Sequence, residues 1–307
     1  MKTAIVTLSD AGYFHLLEEL VDSIQSFTES SSVSICVLDA GMTDEQLNKI
    51  KNKVYSVEKA NWDIPVPTSK INGKDWLKSQ VSRAFLPKYF PSFEKYIWID
   101  CDAWIQSWFV INLLKKACND GKLGIVSMSD RHNGRVARVD WFFKSLGFVK
   151  SQNYKHAKSS GFSEKICRKI AMEPHLNIGV FSLELSSPVW KIWQKNLEKS
   201  LSKGNIFGSE QLAINMSAYI DGIATDILPF YCNWIPHPQS GNTKFDLISN
   251  KFVEGFTPHG EIGIIHLAGG VKIDKKDMRL DSSLKVAIPT LCGKTIERNF
   301  RYQRSVL

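Results

Sequence analysis

The chain has 307 residues, of which 43% are hydrophobic and 23% are charged, as is ordinary for a globular protein with a substantial core. Its 39 basic and 31 acidic residues give a formal net charge of +8, but they are spread along the chain without a long basic run. This distribution argues against a nucleic-acid-binding arm and favours an anionic small ligand.

The N-terminal segment and the cysteines bear on the cellular compartment. The apolar run after Lys2 is too short for a secretion signal, and no stretch approaches the roughly 20 apolar residues of a membrane helix. The six cysteines form no Cys-x-x-Cys pair, which disfavours a zinc site or a disulfide framework. We therefore expect a soluble cytoplasmic protein with reduced thiols.

Apolar periodicity predicts alternating strands and helices, which is typical of an α/β fold with a mostly parallel sheet. In chain order the predicted elements are strand 3–9, helix 16–27, strand 32–39, helix 43–54, helix 75–90, strand 94–100, strand 123–129, strand 175–185, helix 188–201, helix 209–220 and strand 263–268. The segment at about 133–171 is polar, so we predict an excursion over one face of the domain rather than a domain with its own core.

Two aspartates, Asp100 and Asp102, follow an apolar strand within YIWIDCDAWI. In open parallel sheets, ligands bind beyond the carboxyl ends of the strands, and a turn there can direct both carboxylates at one divalent cation. Oxygen ligands suit Mg²⁺ or Mn²⁺ and leave positions free for the oxygens of a diphosphate. Taken alone, such a pair more often indicates solvated charge.

The chain resembles glycosyltransferase family 8 through several motifs spaced between about Ile5 and Lys272. This family of retaining GT-A enzymes includes bacterial lipooligosaccharide galactosyltransferases and glycogenin. YIWIDCDAWI matches its Asp-x-Asp motif, and ICVLDAGMTDEQ matches its second strand and turn. The resemblance implies a Rossmann-like GT-A domain at 1–272, a basic extension at 273–307, a Mn²⁺ or Mg²⁺ cofactor held by the two aspartates, and a UDP-sugar donor.

Further positions carry over from the family one at a time. In SDAGY, Asp10 and Tyr13 stand where the family holds the nucleoside, although a helix cap and a core position are the alternatives. Arg83 stands where the family has an arginine ahead of the Asp-x-Asp strand. A guanidinium there suits sugar hydroxyls or phosphate, and a solvated surface charge is the alternative.

Two later motifs correspond to the family's sugar-binding segments. HLNIGVFSLE matches its Asn-Ala-Gly-Val, which implies that Asn177 contacts sugar hydroxyls and that Gly179 lets the backbone approach the sugar ring. Ile178 replaces the alanine. Glu210 and Gln211 stand for its Asp-Gln pair, which implies that Gln211 lies under the anomeric carbon and that Glu210 orients the sugar. For Glu210, a role at the helix N-terminus is the alternative.

The segment GIIHLAGGVKI contains the family's His-x-x-Gly-x-x-Lys as His266, Gly269 and Lys272. The resemblance implies that His266 is a third metal ligand and that Gly269 and Lys272 bind the donor, with the Lys272 ammonium on the leaving diphosphate. A histidine buried in the core is the alternative for His266. The family's Pro-Trp after the lysine is missing here.

The resemblance implies a metal-dependent retaining hexosyltransferase that acts on a hydroxyl of a carbohydrate or glycolipid acceptor, such as lipopolysaccharide or another surface polysaccharide, with no nucleic-acid partner. We favour front-side attack by the acceptor, because the amide of Gln211 is a poor nucleophile for a covalent intermediate. The main alternative is a catalytically silent GT-A domain that binds a sugar nucleotide or a glycan. A nucleotidyltransferase is disfavoured, since SDAGYFHLL lacks a Gly-rich basic loop.

The end of the chain, KTIERNFRYQRSVL, mixes Arg298, Arg301 and Arg304 with aromatic residues. Such a tail can rest on an anionic membrane surface, at the inner face of the membrane where a lipid-linked acceptor lies. A solvated tail fits the same composition equally well.

Overall fold

The structure, a computed structural model, describes residues 2–131, 137–142, 146–237, 241–269, 272–273 and 276–303. The strands are β1 (Thr3–Ser9), β2 (Ser34–Asp39), β3 (Ser56–Lys59), β4 (Lys95–Ile99), β5 (Ala103–Ile105), β6 (Leu123–Ser127), β7 (Ala137–Phe142), β8 (Leu146–Ser151), β9 (Leu176–Glu184), β10 (Thr225–Leu228), β11 (Thr243–Asp246), β12 (Lys251–Glu254), β13 (Ile264–His266), β14 (Lys272–Ile273), β15 (Lys276–Asp277), β16 (Val286–Pro289) and β17 (Thr295–Arg298). The α-helices are α1 (Phe14–Gln25), α2 (Asp44–Lys51), α3 (Thr68–Ile71), α4 (Ser79–Ser82), α5 (Leu86–Tyr89), α6 (Phe109–Ala117), α7 (Gln152–Ser159), α8 (Glu164–Ile170), α9 (Val189–Lys203) and α10 (Ser209–Tyr219).

Seven strands form the central sheet in the order β10-β6-β9-β4-β1-β2-β3. Strand β9 runs antiparallel to β4 and β6, whereas the other neighbours in the sheet are parallel. The predicted α/β architecture with a mostly parallel sheet is therefore confirmed. The edge strands β3 and β10 were not predicted, because each is only four residues long and lacks a long apolar run.

The central strands divide the core into two layers, one on each face of the sheet. Alternate residues of β4 point to opposite faces, so that Ile97 and Ile99 join one buried cluster and Tyr96 and Trp98 join the other. The first layer contains α1 and α6, and the second contains α9 and part of α10. Burial on both faces explains why β1 and β4 are mostly apolar.

The helix predicted at 75–90 is broken into short helical turns. A 3₁₀ turn at Asp75–Lys78 leads into α4, a second one follows at Arg83–Phe85, and α5 completes the run. Pro87 lies in the first turn of α5, where a proline is tolerated, but its missing N–H prevents one continuous helix through this point. The prediction of a single helix over residues 75–90 was therefore wrong.

The polar excursion contains the β7–β8 hairpin and the helices α7 and α8. Ala157, Cys167 and Ile170 of these helices are buried against Leu212 and Met216 of α10. The small apolar cluster of the excursion is thus completed by a helix of the main body, as is expected for a segment that is too polar to bury a core alone.

The described part of the C-terminal segment packs against the main body. Phe300 and Met278 are buried in the same apolar layer as α1 and α6. The indole of Trp104 donates a hydrogen bond to the carbonyl of Phe300 at 2.8 Å, and Arg301 forms an ion pair with Glu19. Residues near the end of the chain therefore contribute to the core.

Of the arginines in the predicted basic tail, Arg298 lies 4.3 Å from the ring of Phe245 and Arg301 is largely buried. Arg304 lies outside the described residues. No helix in the described part of the chain is long and apolar enough to cross a membrane. All six cysteines are free thiols.

Phe300→Ala should lower the free energy of unfolding by about 3–5 kcal/mol, because it removes a large side chain from a closed apolar layer. Urea unfolding measures the change. The matched control is Leu291→Ala in the same segment, since Leu291 is 41% exposed and should cost well under half as much. Equal, small effects would show that the C-terminal segment does not stabilise the core.

Candidate active site

The two predicted metal carboxylates lie on a tight turn at the carboxyl end of β4. Ala103 donates its backbone N–H to the carbonyl of Asp100 at 3.0 Å, which closes the turn through Cys101 and Asp102. In an extended strand these two aspartates would point to opposite faces. The turn is what allows both side chains to reach the same region.

His266 reaches the aspartates through strand pairing. Strand β5 pairs antiparallel with β13, and the register places His266 opposite Ala103, next to Asp102. The Nε2 atom of His266 lies 3.1 Å from Oδ1 of Asp102 and 3.7 Å from Oδ2 of Asp100. The three candidate ligand atoms lie within 4.8 Å of one another, so that one cation between them can contact all three.

The other ring nitrogen of His266 is held by a chain of amides. Gly179 N–H donates to Oδ1 of Asn177 at 2.8 Å, and Nδ2 of Asn233 donates to the same oxygen at 3.0 Å. This leaves Oδ1 of Asn233 to accept from Nδ1–H of His266 at 2.7 Å. Nε2 is therefore the nitrogen that faces the carboxylates, and in its deprotonated form it can bind a metal.

Gly179 leaves the space that the imidazole of His266 occupies. A Cβ atom at this position would lie only 2.3 Å from Cε1 of His266. The close backbone approach that the sequence predicted at Gly179 is thus made to a neighbouring side chain. A contact between Gly179 and a sugar stays a prediction.

Charges at the carboxylates follow from these contacts. Burial opposes the negative charge of Asp102, but His266 and Arg279 outweigh it and lower the pKa of Asp102 to about 2. Burial likewise opposes a positive charge on His266, but Asp102 and Asp100 raise its pKa. The two carboxylates therefore favour positive charge at Nε2 of His266, which a proton or, in its place, a metal ion can supply.

Arg83 is buried and connects the turn with α10. Its Nη2 lies 3.3 Å from Oδ1 of Asp100, and its Nη1 lies 3.9 Å from Oε1 of Glu210. The guanidinium also lies 4.7 Å from the ring of Trp98, whose indole N–H donates to Oδ1 of Asp100 at 2.7 Å. The alternative that Arg83 is a solvated surface charge is therefore wrong.

Glu210 lies in the first turn of α10 with only 3% of its surface exposed. Burial raises the pKa of this carboxyl group to about 7, against the opposing effect of the Arg83 guanidinium. Its Oε2 atom has no hydrogen-bond partner among the described residues. A buried acid of this kind is half protonated near neutral pH.

The amide of Gln211 is oriented by a histidine. Nδ2 of Asn153 donates to the carbonyl of Glu173 at 3.0 Å, so Oδ1 of Asn153 accepts from Nδ1–H of His175 at 2.6 Å. Burial and the nearby His156 lower the pKa of His175 to about 3, so the ring is neutral and its Nε2 accepts the N–H of Gln211. Oε1 of Gln211 is left for another partner.

A cavity of about 410 Å³ opens beside the turn. It is lined by six of the predicted site residues, Asp10, Tyr13, Arg83, Asp100, Asp102 and Gly269. Asn177, Gly179, Glu210, Gln211 and His266 are not among its lining residues. The side chain of Lys272 lies outside the part of the chain that the structure describes.

Asp10 and Tyr13 line the same cavity as Asp100 and Asp102. Oδ1 of Asp10 accepts the backbone N–H of Tyr13 at 3.0 Å, so this aspartate holds the turn before α1. The second carboxylate oxygen of Asp10 is not used in that contact. The N-cap of α1 is Tyr13 and not Asp10, so the alternative of a helix cap at Asp10 is wrong, and its contact with a nucleoside stays a prediction.

Sequence reasoning assigned no site role to Trp98, His175, Asn233 or Arg279. Trp98 lies two residues before Asp100 and therefore on the same face of the strand, a spacing that could have predicted their contact. His175 stood at the start of a motif whose family counterpart gave it no role. Asn233 and Arg279 lie in segments without a motif, and only the fold brings them to the site.

The sheet order, the turn after β4 and the cavity define a GT-A glycosyltransferase fold. The sequence model of Glycosyl transferase family 8 matches residues 4–188, more than half of the chain. The chain therefore belongs to glycosyltransferase family 8, as its motifs predicted. A search of curated proteins finds no match by sequence.

Solved structures with this fold are distant in sequence. The bifunctional glycosyltransferase WbbM is 14% identical with a TM-score of 0.55, and the match covers 91% of this chain but 48% of WbbM. The galactosyltransferase LgtC in complex with donor and acceptor sugar analogues is 15% identical with a TM-score of 0.52, and 88% of each chain is covered. Mouse xyloside xylosyltransferase 1 is 11% identical with a TM-score of 0.51, with 89% of this chain and 99% of that one covered. The predicted GT-A fold is confirmed.

Glu210→Gln should change how stability depends on pH. Because the pKa of Glu210 is raised to about 7 in the folded protein, the folded state holds this proton more tightly than the unfolded state does. Stability from this group is complete below about pH 4.5 and is lost as the pH rises through about 7.

Between pH 5 and pH 8 the wild type should therefore lose about 2–3 kcal/mol of unfolding free energy that Glu210→Gln retains. Denaturant unfolding at several pH values measures the difference, with the exposed Glu297→Gln as the matched control. Parallel curves for wild type and Glu210→Gln would mean that the carboxyl group titrates normally.

Proposed function

We propose that this glycosyltransferase moves a hexose from a UDP-sugar to a hydroxyl of a carbohydrate or glycolipid acceptor, with retention of anomeric configuration and in a metal-dependent way. The observation that carries the proposal is the grouping of Asp100, Asp102 and His266 at the edge of the cavity. Two carboxylates and an imidazole fit Mn²⁺ or Mg²⁺, and the amide chain to His266 presents the correct nitrogen.

The remaining site residues are proposed to contact different parts of the donor. Tyr13 offers an aromatic face and Asp10 a carboxylate oxygen, which suit the base and the ribose. A divalent ion, when bound, neutralises charge that develops on the departing diphosphate. The ammonium group of Lys272 is proposed to contact the same diphosphate. Gly269 lines the cavity with a positive φ of 72°, a conformation that favours glycine.

Front-side attack is supported by how Glu210 and Gln211 are held. Glu210 is buried beside Arg83, with only 3% of its surface exposed, whereas Gln211 is half-buried, so Glu210 is poorly placed to be a covalent nucleophile. Gln211 donates its N–H to His175, which leaves the amide oxygen to stabilise positive charge on the sugar. The proton of the acceptor hydroxyl would pass to the departing phosphate.

A carbohydrate partner is also supported by two aromatic rings at the cavity. Trp76 and Phe207 both line it, are 38% and 72% exposed, and contact each other edge to face at 6.2 Å. Exposed aromatic faces suit the C–H surfaces of a pyranose ring. The pair is consistent with a sugar acceptor entering from this side.

The test is a screen of UDP-sugars for donor hydrolysis and for transfer to simple glycosides, each with Mn²⁺ and with EDTA. We expect one UDP-hexose to be consumed only with the metal, and Asp100→Asn to lose at least about 100-fold in turnover, as for removing a main transition-state stabiliser. Lys116→Gln on α6 is the control, since it removes a surface charge. If no UDP-sugar is consumed, the proposed function is wrong.

His175→Phe should lower kcat by about 10-fold or more and leave the donor KM nearly unchanged, because it frees the amide of Gln211 while retaining a buried ring. In the Gln211→Ala background the same change should cost less than about 2-fold, since coupled residues are not additive. Steady-state kinetics of the four proteins measure the coupling. His156→Phe, at the neighbouring ring 6.1 Å away, is the matched control.

Additive losses in the double variant would contradict this account, because they would show that His175 does not act through Gln211. A loss of the same size in His156→Phe would point to general disturbance of the α7 region.

A further inference from the structure

Arg279 contacts both Tyr13, the proposed nucleoside residue, and Asp102, a proposed metal ligand. Its Nη1 lies 3.2 Å from Oδ2 of Asp102, and its guanidinium carbon lies 5.4 Å from the ring centre of Tyr13. It also lines the cavity. A nucleoside on Tyr13 and a metal ion on Asp102 would be joined by the diphosphate, which therefore has to pass this guanidinium.

The position of Arg279 is fixed before any ligand arrives. Its carbonyl oxygen accepts hydrogen bonds from Nε2 of His15 at 2.7 Å and from Nη1 of Arg301 at 3.4 Å. Nε and Nη2 form a fork on the carboxylate of Asp277, at 3.1 and 2.8 Å, and the adjacent Met278 is buried in the core. A side chain that is already ordered loses little entropy on binding.

Arg279 still has hydrogen-bonding capacity to spare. A guanidinium carries five N–H donors, and the contacts with Asp277 and Asp102 use three of them. One N–H on Nη1 and one on Nη2 have no partner among the described residues. The other arginine at the cavity, Arg83, is 5% exposed and is engaged by Asp100 and Glu210. Arg279 is therefore the better placed of the two to receive an anion.

We infer that Arg279 is a binding residue for the donor's diphosphate, a cation supplied by the chain beside the proposed metal ion. The inference rests on the proposed function and deepens it at the same site. A guanidinium suits this task because it makes paired, charge-assisted hydrogen bonds to phosphate oxygens. Through Arg279, the C-terminal segment then takes a direct part in donor binding.

The competing interpretation is that Arg279 only neutralises Asp102. The two interpretations predict opposite signs for Arg279→Gln. Loss of a mere neutralising partner removes a competitor of the metal, so Mn²⁺ and the Mn²⁺–UDP pair should bind equally well or more tightly. Loss of a diphosphate ligand should weaken the binding of UDP even though Mn²⁺ binding is kept or improved.

The experiment is calorimetry of UDP and of uridine, each with saturating Mn²⁺, on the full chain, together with Mn²⁺ binding alone by electron paramagnetic resonance. We expect Arg279→Gln to raise the Kd of UDP by about 10- to 100-fold, as for the loss of hydrogen bonds to a charged group. The Kd of uridine should change by less than about 2-fold, and Arg279→Lys should recover part of the loss.

The matched control is Arg298→Gln in the same segment, because Arg298 lies over the ring of Phe245 and hydrogen-bonds to Asn250 outside the cavity. It should leave UDP binding unchanged. Unchanged or tighter UDP binding in Arg279→Gln overturns the inference alone. Equal losses for UDP and uridine, or an equal loss in Arg298→Gln, also overturn it.

Failure of the proposed function gives a different result. If the wild-type chain does not bind UDP in the presence of Mn²⁺, the UDP-sugar assignment falls, and the inference falls with it. If the wild type binds UDP and only the variant comparison fails, the proposed function stands.

Discussion

The site depends on holding two carboxylates side by side at the end of β4. Asp100 and Asp102 would repel each other there, and each has its own compensation: Arg83 beside Asp100, and His266 with Arg279 beside Asp102. These partners come from α4 and its following turn, from β13 and from the C-terminal segment. Distant parts of the chain thus meet at one turn, and the cavity lies where they meet.

Buried charge of this kind costs free energy unless it is paired, so the pairing is a constraint on the fold as well as on the chemistry. The amides of Asn177 and Asn233 extend the constraint, because they set which nitrogen of His266 faces the carboxylates. Glu210 is compensated less completely, since the guanidinium of Arg83 lies 3.9 Å from only one of its oxygens. Its carboxyl group is buried with one oxygen unpartnered and a pKa of about 7, as is typical of groups held for function rather than stability.

Features that depend on neighbouring residues in the chain could be predicted from the sequence. The apolar strand ahead of Asp100 and the turn after it were predictable, as were most strands of the sheet. Contacts between distant segments were not: the three-residue pairing of β5 with β13 and the approach of Arg279 have no periodic signal. The family resemblance predicted the role of His266. The roles of Asn233 and His175 became clear only from the structure, because they depend on which atom donates a hydrogen bond to which.

The most direct measurement is an anomalous difference map, collected at the manganese absorption edge, from crystals grown with Mn²⁺ and UDP. We expect one strong peak at coordination distance from Asp100, Asp102 and Nε2 of His266, with the diphosphate of UDP completing its ligands. A manganese peak elsewhere, or ordered UDP in this cavity with no metal at the three side chains, would contradict it.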